Sequence, residues 1–178
     1  MRKQIISNQP IRAAKLQKAE KIMRALQQEL RIRIQHGAGP FLAAIYDEKG
    51  NLVSMAANSV VDEVCSNNHA EMNAIKRAEA KMGSFDLAPF KLSLYTTAEP
   101  CLMCVGGIMW SGIQTIYFGV PSKQVEEITG FDEGFKADWL MEFKKRGIAV
   151  YGNIAPEAGE KVLKEYVKAG KTVYKPTR

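Results

Sequence analysis

The chain has 178 residues, of which 46% are hydrophobic and 25% charged, values typical of a globular domain rather than of a disordered or fibrous protein. No hydrophobic run approaches the roughly 18 residues that span a bilayer, and the first 33 residues carry charges throughout, unlike a secretory signal. Three cysteines are an odd number, and two of them lie three residues apart, which favours a metal site in a reducing compartment over a disulfide framework. We therefore expect one cytoplasmic domain with no membrane association.

The net charge of +6 is concentrated at the N-terminus. Residues 1–33 contain nine basic and two acidic residues, which gives +7, whereas the other 145 residues contain 16 basic and 17 acidic residues, which gives −1. A protein that grips a phosphate backbone needs basic residues around its site. The distribution favours a solvated helix face over an anionic partner or a targeting segment, and it disfavours nucleic acid as a partner.

The N-terminal segment predicts a long amphipathic helix, from about residue 11 to 35, with Gly37 as its stop signal. Apolar residues at alternating steps of three and four mark its buried face: Leu16, Ala19, Met23, Leu26 and Leu30. After this helix, residues 41–46 and 51–57 predict a β-hairpin joined by a tight turn.

The rest of the chain predicts alternating helices and strands. A helix is expected over roughly residues 69–82, capped by Asn67 or Asn68. The next elements are expected as a strand at 91–97, a helix that Pro100 opens and that ends near Gly112, and a strand at 114–119. A loop is expected at residues 130–135, followed by a helical stretch to about Arg146, a strand at 148–151 and a helix at 156–168. These elements predict an α/β fold with a mixed sheet of about five strands between helices.

Two of the expected helix starts carry the candidate chemistry. One begins His69-Ala70-Glu71, and the next begins Pro100-Cys101-Leu102-Met103-Cys104. Cysteines three residues apart on one helical turn project from the same face, and the free N–H groups of a helix start favour thiolates. With one imidazole they supply three ligands for a tetrahedral Zn²⁺ and leave the fourth position to water, which is the catalytic arrangement.

Glu71 is the candidate general acid and base. Zinc lowers the pKa of bound water to about 7, and a carboxylate two residues from His69 reaches that water without ligating the metal. A Cys-x-x-Cys pair alone also occurs in redox and structural zinc sites, but its combination with His-x-Glu at another helix start is typical of zinc deaminases. Cys65 is expected to be an ordinary thiol.

These motifs resemble those of the cytidine deaminase-like superfamily of zinc-dependent nucleobase deaminases over about residues 37–155, and within it the bacterial guanine deaminases. The resemblance implies a three-layer α/β/α sandwich, a homodimer and one Zn²⁺ per chain. The family's zinc ligands fall on His69, Cys101 and Cys104, and its proton-shuttling glutamate falls on Glu71.

The single deaminase domain then divides into three parts. Residues 1–36 form an N-terminal helical extension, residues 37–155 the zinc deaminase core, and residues 156–178 a C-terminal helix and tail. Some members of the family close the pocket with a C-terminal tyrosine, in certain cases donated by a swapped neighbour, which makes Tyr174 a candidate lid.

The resemblance also implies how a base is held. The expected substrate-binding residues are Asn58, Phe41, Phe131, Trp110 and Ala70, and Glu133 joins Glu71 as a second catalytic residue. The ring N1–H and 2-amino group of guanine are both donors, so an ionised acceptor at Glu133 matches them. Three plainer interpretations stay open: Trp110 and Phe131 as core residues, and Glu133 as a charge that only stabilises a helix start.

The expected reaction is the hydrolytic deamination of guanine to xanthine and ammonia. One alternative is a tRNA adenosine deaminase, which reads a base flipped out of an RNA loop. Another is a deaminase of guanosine, cytosine or a triazine such as ammeline. A non-enzymatic alternative is a zinc-stabilised interaction domain that uses the basic N-terminal helix as its contact surface.

Overall fold

In the computed structural model, which describes residues 4–134 and 136–174, a mixed sheet of six strands organises the chain. In chain order the strands are β1 (Ile6–Ser7), β2 (Leu42–Tyr46), β3 (Leu52–Ala57), β4 (Ser93–Ala98), β5 (Thr115–Val120) and β6 (Ala149–Gly152). The helices are α1 (Ala13–Gln35), α2 (Ala70–Met82), α3 (Leu102–Ser111), α4 (Ser122–Thr129), α5 (Trp139–Lys145) and α6 (Pro156–Lys168), and a short 3-10 turn covers Ala88–Phe90.

The strand order across the sheet is β1-β6-β5-β4-β2-β3. The central pairs β4–β5 and β5–β6 are parallel, while β1–β6, β2–β3 and β2–β4 are antiparallel. Parallel neighbours need crossover connections, and α3 supplies the one between β4 and β5. The mixed sheet is therefore confirmed.

The expected count of five strands is wrong, because the short strand β1 adds a sixth at the edge. A strand of only two residues is too short to show an alternating hydrophobic pattern in the sequence. The side chain of Asn8 secures this strand: it donates to the carbonyl of Ile148 at 2.9 Å and accepts from the backbone N–H of Val150 at 3.0 Å.

Both faces of the sheet are covered, as in a three-layer sandwich. Successive side chains of a strand point to opposite faces, so β2 places Ala43 and Ile45 in one core and Leu42 and Ala44 in the other. Helices α2, α3 and α5 pack on the first face, and α1 and α6 contribute to the core on the second. The predicted three-layer α/β/α fold is confirmed.

The long N-terminal helix buries the predicted stripe. Four of the five stripe residues are fully buried: Ala19, Met23, Leu26 and Leu30. Its basic opposite face forms surface ion pairs with α6, such as that of Arg31 with Glu165 at 2.8 Å. Neither this helix nor any other helix in the described part of the chain is long and apolar enough to cross a membrane.

One local prediction is wrong, and one helix was missed. His69 itself is the N-cap of α2, without a side-chain capping bond, so neither Asn67 nor Asn68 caps that helix. The side chain of Asn68 instead donates to Glu63 within the preceding loop. Helix α4 was not expected at all, because its eight residues are too few for a clear periodic pattern.

Candidate active site

The site lies where two helices start side by side. His69 occupies the N-cap position of α2, and Cys101 occupies the N-cap position of α3, three residues after the end of β4. Cys104 follows one turn later and is completely buried. The two cysteines thus follow the buried strand β4 at the start of α3, and the histidine lies at the start of the neighbouring helix α2.

The spacing of these three side chains fits a tetrahedral metal. The Nδ1 atom of His69 lies 3.4 Å from Sγ of Cys101 and 3.6 Å from Sγ of Cys104. All three ligand atoms lie within 4.8 Å of one another. Tetrahedral Zn²⁺ with bonds of about 2.0–2.3 Å separates neighbouring nitrogen and sulfur ligands by about 3.5–3.8 Å. The donor set and its spacing therefore fit zinc with little rearrangement.

The neighbouring sulfurs of Cys101 and Cys104 shift each other's pKa in opposite directions. A hydrogen bond from Cys104, helped by one from His69, lowers the pKa of the Cys101 thiol to about 4 against the opposing effect of burial. The same hydrogen bond and burial raise the pKa of Cys104. Since zinc takes thiolates as ligands, binding of the metal at this site would release thiol protons.

Glu71 stands in the first turn of α2 and is 6% exposed. Burial, with the negative charge of Cys101, raises its pKa above that of an ordinary glutamate. A carboxyl group with a raised pKa both accepts and returns a proton near neutral pH. Its position beside the metal ligands suits a proton carrier that does not itself bind the metal.

A small cavity connects the metal ligands with most of the predicted substrate residues. Its lining consists of Phe41, Asn58, His69, Glu71, Ala98, Glu99, Cys101, Phe131 and Glu133. A larger outer cavity of about 220 Å³ adjoins it through Phe41, Asn58, His69 and Phe131, which line both. Asn58 and Glu133, which are 75 positions apart in the sequence, thus lie at one site.

Two phenylalanine rings flank this cavity. The rings of Phe41 and Phe131 lie 6.0 Å apart at an interplanar angle of 49°, and the ring of Phe131 lies 6.1 Å from that of His69. Phe131 is only half-buried, so the alternative interpretation as a core residue is not supported. The arrangement offers an apolar wall against which a planar base can pack.

Glu133 lies in the loop before α5 and is 7% exposed. Its Oε2 atom accepts a hydrogen bond from the hydroxyl of Ser122 and another from Nζ of Lys136, the latter at 3.1 Å. Burial raises the pKa of Glu133 to about 7, while the charge of Lys136 opposes the rise. The N-cap of the following helix is Asp138, so Glu133 does not cap that helix.

Two predicted substrate residues lie away from the cavity. Trp110 is 81% exposed near the end of α3 and lines neither cavity, so within this chain it is neither a core residue nor a wall of the pocket. The side chain of Ala70 is fully buried and also lines neither cavity. Tyr174, by contrast, lines the outer cavity together with residues 170–173.

Three residues around Glu133 were missed by sequence reasoning: Glu99, Ser122 and Lys136. Nζ of Lys136 lies 2.9 Å from Oε1 of Glu99, which places one cation between two buried carboxylates. The spacing of three residues between Glu133 and Lys136 is the only local signal. Glu99 and Ser122 reach the site through the fold, from the end of β4 and the start of α4.

The comparisons with known proteins agree with this geometry. Residues 16–120 match the sequence profile of the cytidine and deoxycytidylate deaminase zinc-binding region. A probable cytosine deaminase from Schizosaccharomyces pombe is 32% identical over 62% of this chain and 67% of its own length. A guanine deaminase from Bacillus subtilis is 33% identical over 54% of this chain and 60% of its own length, so the match spans less than two thirds of that relative.

The match in three dimensions covers more of the chain. The solved structure of a guanine deaminase from Nitrosomonas europaea superposes with a TM-score of 0.79 and 36% identity, over 83% of both chains. tRNA-specific adenosine deaminases also match in sequence.

Proposed function

This chain belongs to the cytidine and deoxycytidylate deaminase zinc-binding family, and we propose that, as a zinc-dependent hydrolytic deaminase, it converts guanine to xanthine and ammonia. The observation that carries the choice of guanine is the position of Glu133. It is a second buried carboxyl group, separate from Glu71, on the lining of the cavity that holds the metal ligands. The N1–H and 2-amino group of guanine are donors that such an acceptor matches.

His69, Cys101 and Cys104 would hold the zinc ion, which would supply an activated water nucleophile near neutral pH. Glu71 takes the proton of that water and delivers it to the leaving amino nitrogen at C2. Asn58 hydrogen-bonds an acceptor on the edge of the purine. The phenylalanine walls hold the ring plane and exclude water around it.

The direct test is a chromatographic assay of zinc-loaded protein with guanine, in which xanthine forms at catalytic turnover. Cytosine, guanosine and ammeline are assayed in parallel, because the cytosine deaminase relative makes a pyrimidine substrate the main small-molecule alternative. Xanthine formation that exceeds all other products supports the proposal. Absence of xanthine from a zinc-replete sample, with turnover of another base, would contradict it.

The surface around the outer cavity supports a free base over a tRNA. Among the described residues that line this cavity, Asp62 and Lys171 bear opposite charges, and Lys171 is the one lysine or arginine. Phosphate recognition needs a cluster of basic residues and produces a steep salt dependence. Binding of tRNA that weakens by several orders of magnitude between 50 and 200 mM salt would favour the tRNA alternative.

We further propose a homodimer, a cytoplasmic location and the three-part division of the domain given above. Helix α3 is apolar around most of its circumference: Cys104 and Ile108 are buried, while Leu102 is 55% and Trp110 81% exposed. A helix that is apolar on all sides is normally covered, and a second copy of this chain is the occupant we propose. Light scattering is expected to give the dimer mass, and Trp110→Glu is expected to shift it toward the monomer.

A further inference from the structure

Lys136, to which the proposed chemistry gives no role, stands at the centre of a buried charged cluster. Its side chain is 7% exposed, and those of Glu99 and Glu133 are 13% and 4% exposed. The ammonium group contacts Oε1 of Glu99 at 2.9 Å, Oε2 of Glu133 at 3.1 Å, the hydroxyl of Ser122 at 2.5 Å and the carbonyl of Pro100 at 2.8 Å. A buried cation with this many partners has a fixed position.

The contacts leave the two oxygens of Glu133 in different surroundings. Oε2 accepts from both Ser122 and Lys136. Within the described ranges, no hydrogen bond ends at Oε1, although the residue lines the cavity of the metal ligands. One oxygen is therefore held by the protein and the other is available to a base.

The same cluster connects the Glu133 loop to the start of α3. The ammonium group of Lys136 donates a hydrogen bond to the carbonyl of Pro100, one residue before the ligand Cys101. The backbone N–H of Leu102 donates to the carbonyl of Glu133 at 3.0 Å. The loop is thus fixed to the metal-bearing helix at two points.

We propose that Lys136 is the positioning residue for Glu133, holding its Oε2 atom so that Oε1 meets the donor edge of guanine. This inference rests on the proposed function, since it concerns how the same cavity holds its substrate. Lys136 does not touch the base. It acts by fixing the one carboxylate oxygen that the base does not use, and by offsetting the charge of the two carboxylates beside it.

The test compares Lys136→Met with Lys136→Arg in zinc-loaded protein. The methionine variant keeps the length of the side chain but removes its charge and its donors, and we expect kcat for guanine to fall about 10- to 100-fold, as for loss of an orienting partner. The arginine variant keeps the charge and restores part of this loss. Zinc content and thermal midpoint are measured for each variant.

The pH profile separates positioning from a purely structural role. The charged groups that face Glu133 are Lys136, Glu99 and His69. Removal of Lys136 eliminates the largest of the influences that oppose the burial-driven rise in the pKa of Glu133 and leaves the hydrogen bond from Ser122. The acid limb of kcat/KM is therefore expected to move to higher pH in Lys136→Met and to return in Lys136→Arg. A uniform loss at all pH values, with an unmoved limb, would overturn the inference.

A double variant addresses the risk that Lys136→Met leaves two uncompensated carboxylates and fails to fold. Lys136→Met with Glu99→Gln removes one positive and one negative charge, and Glu99→Gln alone is its control. We expect the double variant to fold, to retain zinc and to keep the low kcat. Wild-type kcat in the double variant would overturn the inference. Absence of guanine turnover in the wild-type protein would instead overturn the proposed function.

Discussion

A Cβ atom at Gly39 would stand 2.6 Å from Oδ1 of Asn58, so the predicted base-contacting amide occupies the space that any larger residue at position 39 would need. The two residues are also joined through the backbone, since the N–H of Gly39 donates to the carbonyl of Asn58 at 3.0 Å. Gly39 is therefore required for close approach and not for an unusual backbone angle.

Gly39→Ala is expected to displace the Asn58 side chain and to raise KM for guanine about tenfold, which corresponds to about 1.4 kcal/mol of binding. Kinetics of the single and double variants with Asn58→Ala check this. If Gly39 acts through the amide, Gly39→Ala adds little in the Asn58→Ala background. Fully additive losses would show that the glycine acts elsewhere.

Glu71→Ala is expected to retain zinc and lose turnover by about 10²- to 10⁴-fold, the range for removal of a general acid and base. Glu79→Ala is the matched control, because Glu79 lies two turns further along the same helix, away from the metal ligands. Zinc analysis and xanthine formation are measured together. Substantial turnover in Glu71→Ala would contradict the assigned proton transfer.

Cys104→Ser is expected to lose bound zinc and guanine turnover, because serine does not supply the thiolate ligand. Cys65→Ser, which changes a cysteine outside the ligand cluster, is expected to keep both. The thermal midpoint falls in Cys104→Ser as well, since metal binding contributes to the free energy of folding. Zinc loss from Cys65→Ser would indicate that the ligand set is different.

The raised pKa of Glu133 is expected to make the free energy of unfolding depend on pH. Burial raises its pKa to about 7 in the folded protein, whereas a glutamate in an unfolded chain ionises near pH ~4.3. Between these values the folded state holds the extra proton, so the free energy of unfolding falls as pH rises from about 4.5 to 7.

Urea unfolding of zinc-loaded protein at pH 5 and pH 7 measures this effect. Glu133→Gln has no proton to lose at this position, so its free energy of unfolding is expected to fall less over the interval than that of the wild type. Glu126→Gln, an exposed glutamate of α4, is the control and follows the wild type. Equal pH dependence in Glu133→Gln and wild type would place the ionisation of Glu133 outside this range.

The sequence predicted those elements whose signals are local. Residues 156–168 begin with proline at the first helical position, and the observed α6 has the predicted bounds. The zinc ligands were predicted because each motif lies within one turn of a helix start. The two-residue strand β1 was missed because its pairing with β6 depends on residues at the other end of the chain.

In the candidate site, too, some residues could be predicted from the sequence, while others depend on contacts between distant parts of the chain. Asn58, Phe41 and Glu133 were placed by resemblance, and the structure brings them to one cavity. Lys136 was missed because its importance depends on Glu99, which reaches it only after β4 and the Glu133 loop have folded together. Trp110 was placed in the pocket by the same resemblance, but α3 directs its ring outward.

Strand β1 cannot pair with its partner β6 until most of the chain has been synthesised. Asn8 leaves the ribosome early, yet its partner Val150 lies 142 residues later. Because chains emerge from the N-terminus, the zinc ligands and the central strands are available before this edge of the sheet closes. Until β6 has been made, the edge of β5 that pairs with it is open, and an open strand edge invites pairing with other chains. The synthesis of β6 therefore closes this side of the sheet, because β6 covers the edge of β5 and is in turn covered by β1.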